Sequence, residues 1–318
     1  MSTLGDQNQS TALHAFNAKS LWTDELEALL LDGTLDLIVH SLKDLPTQIP
    51  AGCCVSSVLE RGDRRDVLVV RAGAGAGAGA GRAAGLGALR EGAVVGTSSV
   101  RRAALVKRAW PALRCRDVRG NVGTRLRKLD EGAGGAGDAH TFDCVVLAAA
   151  GVQRLGLGAR IGGFLGGGGW MGAVGQGALG VEWRVGDARV EGLVEALVVD
   201  RVEWECVAER SLLRTLEGGC SVPVGVETEW AEGEGEEEEA RDKGEAGGKA
   251  GWLVIRAVVV SLDGRDAVEG ERRHWVGSKR EADECGWLMA RELVEKGAGA
   301  ILEKIALNRA VLQRQDGA

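Results

Sequence analysis

The sequence predicts an α/β protein, and three observations carry that reading. Short apolar runs alternate with segments of helical periodicity. Clusters of charged and hydroxyl side chains recur where the apolar runs end. A length of 318 residues, 45% of them hydrophobic and 27% charged, suffices for two or three domains around large soluble cores. The first helix follows from Trp22, Leu26, Leu29 and Leu30 at i, i+4, i+7 and i+8, with Ser20 as its cap and Gly33 as its stop. Residues 35–39 then read as a buried strand that runs into His40-Ser41-Leu42-Lys43-Asp44-Leu45-Pro46. Apolar runs at 67–70, 93–95 and 144–149 alternate with helical patterns at 101–108 and 124–129, which argues for largely parallel sheets. Beyond Gly175-Gln176-Gly177 come a strand at 178–183 and helices at 190–197 and 201–216. The remainder reads as a smaller α+β unit, with strands at 221–228, 252–262 and 272–276 and a helix at 283–296.

Glycine is abundant, 50 residues, and clumped. Residues 72–81 alternate Ala and Gly, 132–137 and 162–169 are further clumps, and 232–248 mixes Glu with Gly. Such segments bury too little surface to offset the entropy of ordering, so each is expected to be a flexible surface loop. The net charge is -7, and most of it comes from the eight acids within residues 232–245.

Against that background, residues 96–128 pack ten basic side chains with one acid, Asp117. A local island of that sign on an acidic protein points to an anionic partner, although a solvated basic helix face also fits the composition. The spacing is informative. Gly96-Thr97-Ser98-Ser99-Val100-Arg101-Arg102 follows an apolar run, so Ser98 or Ser99 can cap a helix whose first turn carries two guanidinium forks. Arg119-Gly120-Asn121-Val122-Gly123-Thr124-Arg125 repeats the pattern. Two strand-to-helix junctions armed with Arg suit several carboxylates better than one phosphate. In parallel sheets ligands sit beyond the carboxyl ends of the strands, and residues 43–44, 97–102 and 119–125 all fall there. Nucleic acid fits poorly, because no comparable basic stripe exists elsewhere and Tyr is absent. Membrane insertion and secretion are not indicated, since no apolar stretch nears the roughly 18 residues of a span and the first 30 residues hold one base, Lys19. Seven cysteines without a C-x-x-C pair indicate neither a disulfide framework nor a zinc site. The expected setting is the cytoplasm, with no metal.

Two residues stand out as candidate chemistry. Asp44 follows Lys43 at a strand end, where a carboxylate among cations can move protons or offset a developing positive charge; locally, Lys-Asp is also an ordinary turn. Cys220 sits in Glu217-Gly218-Gly219-Cys220-Ser221-Val222-Pro223, where paired glycines can present a thiol nucleophile to a cleft; a buried structural cysteine remains an alternative.

Six segments, taken in order, resemble the porphobilinogen deaminase (hydroxymethylbilane synthase) family: Val39-His40-Ser41-Leu42-Lys43-Asp44-Leu45-Pro46-Thr47, residues 96–102, residues 119–125 with Lys128-Leu129-Asp130, LAAAGVQRLGL at 147–157, AVGQGALGVE at 173–182 and LEGGCSVPV at 216–224. The resemblance implies a tetrapyrrole-forming transferase that deaminates porphobilinogen and joins four units head to tail into hydroxymethylbilane, releasing ammonia. It implies a dipyrromethane cofactor held by a thioether to Cys220. It makes Asp44 the acid/base that contacts pyrrole nitrogens and stabilises an azafulvene-like cation. Ser41, Lys43, Thr97, Ser98, Ser99, Arg101, Arg102, Arg119, Gly120, Arg125 and Gln176 would bind the cofactor, and Arg154 and Lys19 the substrate. The acetate and propionate arms of each pyrrole would then account for the arginine island.

The implied fold has two periplasmic-binding-protein-like α/β domains, joined by crossing strands around a cleft, plus a smaller α+β C-terminal domain. Mapped here, domain 1 is 1–70 with 177–199, domain 2 is 71–176 and domain 3 is 200–318. Hinge motion would accommodate a lengthening product. A monomer acting on a small molecule is expected. Family members begin with a strand and helix carrying G-[ST]-R-x-S-x-L-A, and residues 1–6 here match a later T-x-G-D segment. That departure sets a shortened, catalytically impaired or non-catalytic pyrrole binder as the alternative to an active transferase.

Overall fold

A computed structural model describes residues 18–71, 85–131, 142–216, 222–231 and 249–315. In chain order the elements are α1 (Ala18–Leu31), β1 (Leu37–Ser41) leading into a single 3-10 turn (Leu42–Asp44), β2 (Cys53–Val58), β3 (Asp66–Val70), β4 (Val94–Gly96), α2 (Val100–Ala109), β5 (Arg114–Arg116), α3 (Val122–Glu131), β6 (Cys144–Ala148), α4 (Ala149–Arg154), β7 (Ile161–Leu165), β8 (Leu179–Arg184), α5 (Ala188–Glu195), α6 (Asp200–Thr215), β9 (Val224–Trp230), β10 (Gly251–Val260), β11 (Ala267–Val276), α7 (Lys279–Leu293) and α8 (Gly299–Gln315). The strands form three sheets ordered β1-β8-β2, β5-β4-β6-β3-β7 and β11-β10-β9. The molecule is mixed α/β with a smaller C-terminal unit, as expected.

Strand direction departs from expectation. Among the described strands only β4–β5 and β4–β6 run parallel, and all other pairs are antiparallel. The alternation of strands and helices identified α/β units, but β3 and β8 each run against their sheet neighbours, and a local apolar pattern carries no direction. The strand at 66–70, grouped by the expected boundary with the first unit, pairs with β6 and β7 of the second sheet. Four buried residues in a row suit either sheet, so only the long-range partner decides.

Part of one glycine clump is ordered. Ile161–Leu165 forms edge strand β7, with Val67 opposite Phe164 and Leu68 opposite Gly163. Ladder hydrogen bonds use the backbone, so a side-chain-poor strand can still pair when its neighbour is fixed. The clumps at 72–81 and 132–137, and residues 232–248, lie outside the described residues. Helix α1 is described from Ala18, so Ser20 lies within it rather than at its cap, and Gly33 takes the positive φ of 86° that ends it.

The second sheet is buried on both faces. Val67, Val69, Val145 and Leu147 pack with Leu126 and Leu129 of α3, whereas Leu68, Val95 and Val146 pack with Leu105 of α2 and with Val258 and Val260 of β10. The C-terminal unit thus covers part of the second. Its own core joins Ala208 and Leu212 of α6 to Ile255 and to Met289 of α7.

All three units meet at one buried ionic junction. Arg61 donates to Glu205 at 3.1 Å, to both oxygens of Glu209 at 2.8 and 2.9 Å, and to the Gln176 carbonyl at 3.0 Å. Glu209 also accepts from the Gly175 amide at 2.8 Å and the Thr228 hydroxyl at 2.7 Å. Burial opposes the charge on Arg61, but Glu209 outweighs it and holds the guanidinium above its ordinary pKa. Beside it the two passages between the first and second sheets touch: the Gly62 amide donates to the Gly177 carbonyl at 3.1 Å. A Cβ on Gly177, whose φ is +90°, would lie 2.4 Å from the Gly62 carbonyl oxygen, so no other residue fits.

The first unit hides a titratable cluster beneath α1. His40 Nε2 lies 3.0 Å from Glu182 Oε2, and Glu182 is fully buried. Burial, followed by the charge of Glu182, raises Glu27 from its ordinary 4.5 to about 7. The folded chain therefore keeps a proton that the unfolded chain releases between about pH 4.5 and 7, and stability from this group falls as pH rises through that window. Glu27→Gln is expected to remove this slope, raising the thermal midpoint at about pH 8 with little change at about pH 5, as read by thermal unfolding.

Candidate active site

Three strand ends supply the site. β1 ends at Ser41 and the following turn carries Lys43 and Asp44. β4 ends at Gly96, and Ser99 caps α2 by accepting from the Arg102 amide, which aims Arg101 and Arg102 along the first turn. β5 ends at Arg116, and Asn121 Oδ1 accepts from the Thr124 amide at 2.8 Å at the start of α3. Ser98 links the second and third ends: its hydroxyl donates to the Val118 carbonyl at 2.8 Å and accepts from the Val118 amide at 3.1 Å. Thr97 is buried, and its Oγ1 accepts from the Ser99 amide at 3.2 Å. These hydroxyls brace the loops.

Behind the loops sits a carboxylate that the sequence reading missed. Asp66, fully buried at the start of β3, receives Arg101 Nη1 on Oδ2 at 2.8 Å and Arg102 Nη2 and Nε on Oδ1 at 2.7 and 3.0 Å. Gln176 Nε2 donates to Oδ1 at 3.0 Å and the Trp170 indole to Oδ2 at 3.1 Å. Burial alone would raise the Asp66 pKa, but the charges of Arg101 and Arg102 override it and hold the carboxyl far below its usual range. Arg101 and Arg102 were expected to face ligand carboxylates; both are buried and meet this internal one first. Gln176, expected to bind the cofactor, is fully buried and bridges Asp66 to the Arg64 carbonyl. The local sequence shows only an Asp ahead of an apolar run; its burial and its Arg partners are long-range facts.

The positive charge is not cancelled. Burial brings Lys43 down to about 8; Asp44 and Asp66 oppose that fall, and Arg102 and Arg101 add to it. Burial also lowers Arg125, which senses Arg102, Asp44 and Arg119. Lys43, Arg101, Arg102, Arg119 and Arg125 thus converge on Asp44 and Asp66, five cations against two carboxylates, from two different sheets. Arg101 Nε and Arg119 Nη2 are buried without a hydrogen-bond partner. Unpartnered guanidinium N–H groups in a cationic cluster are donors built for an added anion.

The remaining candidates fall into place around this cluster. Arg125 Nε donates to the Gly120 carbonyl at 2.7 Å and Lys128 Nζ to the Arg119 carbonyl at 3.1 Å, fixing the third loop. Gly120 has φ +104°, and a Cβ there would lie 2.6 Å from Thr124 Cγ2. Ser41 and Asp44 are exposed. Arg154 Nη2 donates to the Gly177 carbonyl at 2.7 Å, docking on the passage between units. Cys220 and the side chain of Lys19 lie outside the described residues; the chain enters the Cys220 segment from the end of α6.

Comparison with known proteins shows the family. The family described as "Porphobilinogen deaminase, dipyromethane cofactor binding domain" matches residues 1–192, and "Porphobilinogen deaminase, C-terminal domain" matches residues 204–295. The chain is 44% identical over 313 residues to the porphobilinogen deaminase of Yarrowia lipolytica, covering 96% of this chain and 83% of that protein. It is 42% identical over 314 residues to the one from Neurospora crassa, covering 98% and 85%. It is 43% identical over 305 residues to the one from a Synechococcus, covering 96% and 85%.

Asp66→Asn tests what holds the cluster together. Removing one charge from this buried trio leaves two guanidinium groups uncompensated, an expected loss of about 3–5 kcal/mol of folding free energy by denaturant unfolding.

Proposed function

This chain belongs to the porphobilinogen deaminase family, and from that premise we propose how its residues carry out the reaction. The activity is that of a hydroxymethylbilane synthase: a transferase that deaminates porphobilinogen and joins four units, with a dipyrromethane cofactor, in tetrapyrrole and haem biosynthesis. A non-catalytic binder is not favoured, because the likeness to enzymes runs through both family domains.

One observation carries the assignment: an exposed Asp44 beside five converging cations, two of which hold buried N–H groups without partners. The residues fit a polycarboxylate, since the excess charge is positive and the donors are in place. The dipyrromethane would be held by Lys43, Ser41, Arg119, Gly120 and Arg125 with Arg101 and Arg102 behind them, through a thioether to Cys220, and it supplies the primer on which chain growth begins. Thr97, Ser98, Ser99 and Gln176 support that set by fixing loops and guanidinium planes. Arg154 and Lys19 would meet the acidic arms of porphobilinogen.

Asp44 then has a defined task. Its carboxylate accepts from the substrate pyrrole N–H and offsets the positive charge that develops on the ring as ammonia departs. Lys43 and the arginines neutralise the acetate and propionate arms, which orients the ring against Asp44. A cytoplasmic setting fits the six described cysteines, all free thiols, and no helix among the described residues is long and apolar enough to cross a membrane.

Asp44→Asn is expected to retain a pyrrole adduct on Cys220, seen by intact mass and by Ehrlich's reagent, yet to lose turnover by about a hundred- to ten-thousandfold. Turnover at the parental rate would remove Asp44 from this role. Lys43 is charged below its pKa of about 8 and neutral above it, so kcat/KM for porphobilinogen should fall as pH rises through about 8. Lys43→Arg should move that decline to higher pH in steady-state assays.

A further inference from the structure

The turn that carries Asp44 is gripped from the C-terminal unit. Arg210, on α6 and 8% exposed, donates from Nη1 to the Leu45 carbonyl at 3.3 Å and from Nη2 to the Pro46 carbonyl at 2.6 Å. These are the two residues immediately after Asp44. At the other end of the turn the Leu42 amide donates to the Ala178 carbonyl at 3.1 Å, just before β8. The span that presents Asp44 is therefore fixed once by the passage between the first two units and once by a single guanidinium reaching across from α6. The same helix ends at Thr215 and runs directly into residues 217–221, which contain Cys220.

We propose that Arg210 is a positioning residue for Asp44: through the Leu45 and Pro46 carbonyls it sets where the carboxylate stands relative to the converging cations. The inference rests on the assignment of Asp44 above. A two-pronged planar donor suits the task, because two parallel N–H groups fix both the position and the tilt of a backbone segment, whereas an ammonium fixes position alone. A misplacement of about 1 Å in a reacting group can cost about a hundredfold in rate, so a tether of this kind acts on turnover without touching substrate. Beside Arg210 lies a cavity of about 190 Å³, lined by Leu42, Thr47, Ile49, Val55 and Val207 among others, which leaves room for a free guanidinium ion if the side chain is shortened.

The test uses purified holoenzyme, with adduct content checked by mass. Arg210→Ala is expected to lower kcat by about tenfold to a hundredfold while KM changes little, to shift the acid limb of the kcat–pH profile, and to recover part of its kcat on adding methylguanidinium. Arg210→Lys, which keeps the charge but loses the fork, is expected to show the same loss, and it carries the test if the alanine variant does not fold. In an Asp44→Asn background Arg210→Ala should cause little additional loss, because the two act as a unit. Parental kcat and pH profile in Arg210→Lys, or an equal rise in KM, overturns the proposal while leaving Asp44 in place. Parental turnover in Asp44→Asn overturns instead the reading on which the proposal rests.

Discussion

The pairing of one buried carboxylate, Asp66, with the guanidinium groups of Arg101 and Arg102 is the constraint on which the site depends. Two charges of one sign cannot be buried side by side without a counter-ion, and a single carboxylate between them is enough to keep them folded but not enough to neutralise them. The residue is a net positive centre under a lid of half-buried cations. Asp66 stands at the start of β3, its two arginines stand on α2, and Trp170 and Gln176 come from the stretch leading to β8. One ion therefore orders three separate parts of the second unit and the passage out of it. Trp170 itself packs against Trp110, with ring centroids 5.9 Å apart, so the ionic centre is also walled by aromatic surface.

A second ionic group does for the assembly of units what Asp66 does for the site. Glu209 on α6 gathers Arg61, the Gly175 amide and the Thr228 hydroxyl, and Arg64 adds a contact to Glu205 at 3.2 Å. The C-terminal unit is tied to the junction between the other two rather than to either alone. Glu203, six residues earlier on the same helix, accepts from the Ser57 amide of β2 at 2.5 Å and pairs with Lys279 at 2.9 Å, which extends the seam along the first sheet.

Much of this was readable in the sequence, and the misses share a cause. The strand end at Gly96, the cap at Ser99 and the Arg-rich junctions are local features, written in adjacent residues, and each was recovered; the first strand was read two residues early and as buried, whereas only Ile38 of Leu37–Ser41 is. Strand β2, CCVSSV, escaped because its buried serines read as polar, and only the helix packed on it explains them. Strand β7 escaped because its glycines read as loop. The antiparallel course of β3 and β8 and the grip of Arg210 on the Pro46 carbonyl are long-range facts, spanning 164 residues in the last case. Arg101 and Gln176 were expected to meet a ligand, and the internal partner they meet is Asp66, which nothing in its own neighbourhood distinguishes from an ordinary surface acid.

The contact between Gly62 and Gly177 has a mechanical consequence. Two rigid bodies joined by a single strand can swivel in any direction, like a ball in a socket. Joined by two chain passages that touch, they keep one axis of rotation and lose the other two. Any movement of the first unit against the second would thus be confined by this contact to one arc, along which Lys43 and Asp44 approach or leave Arg119 and Arg125.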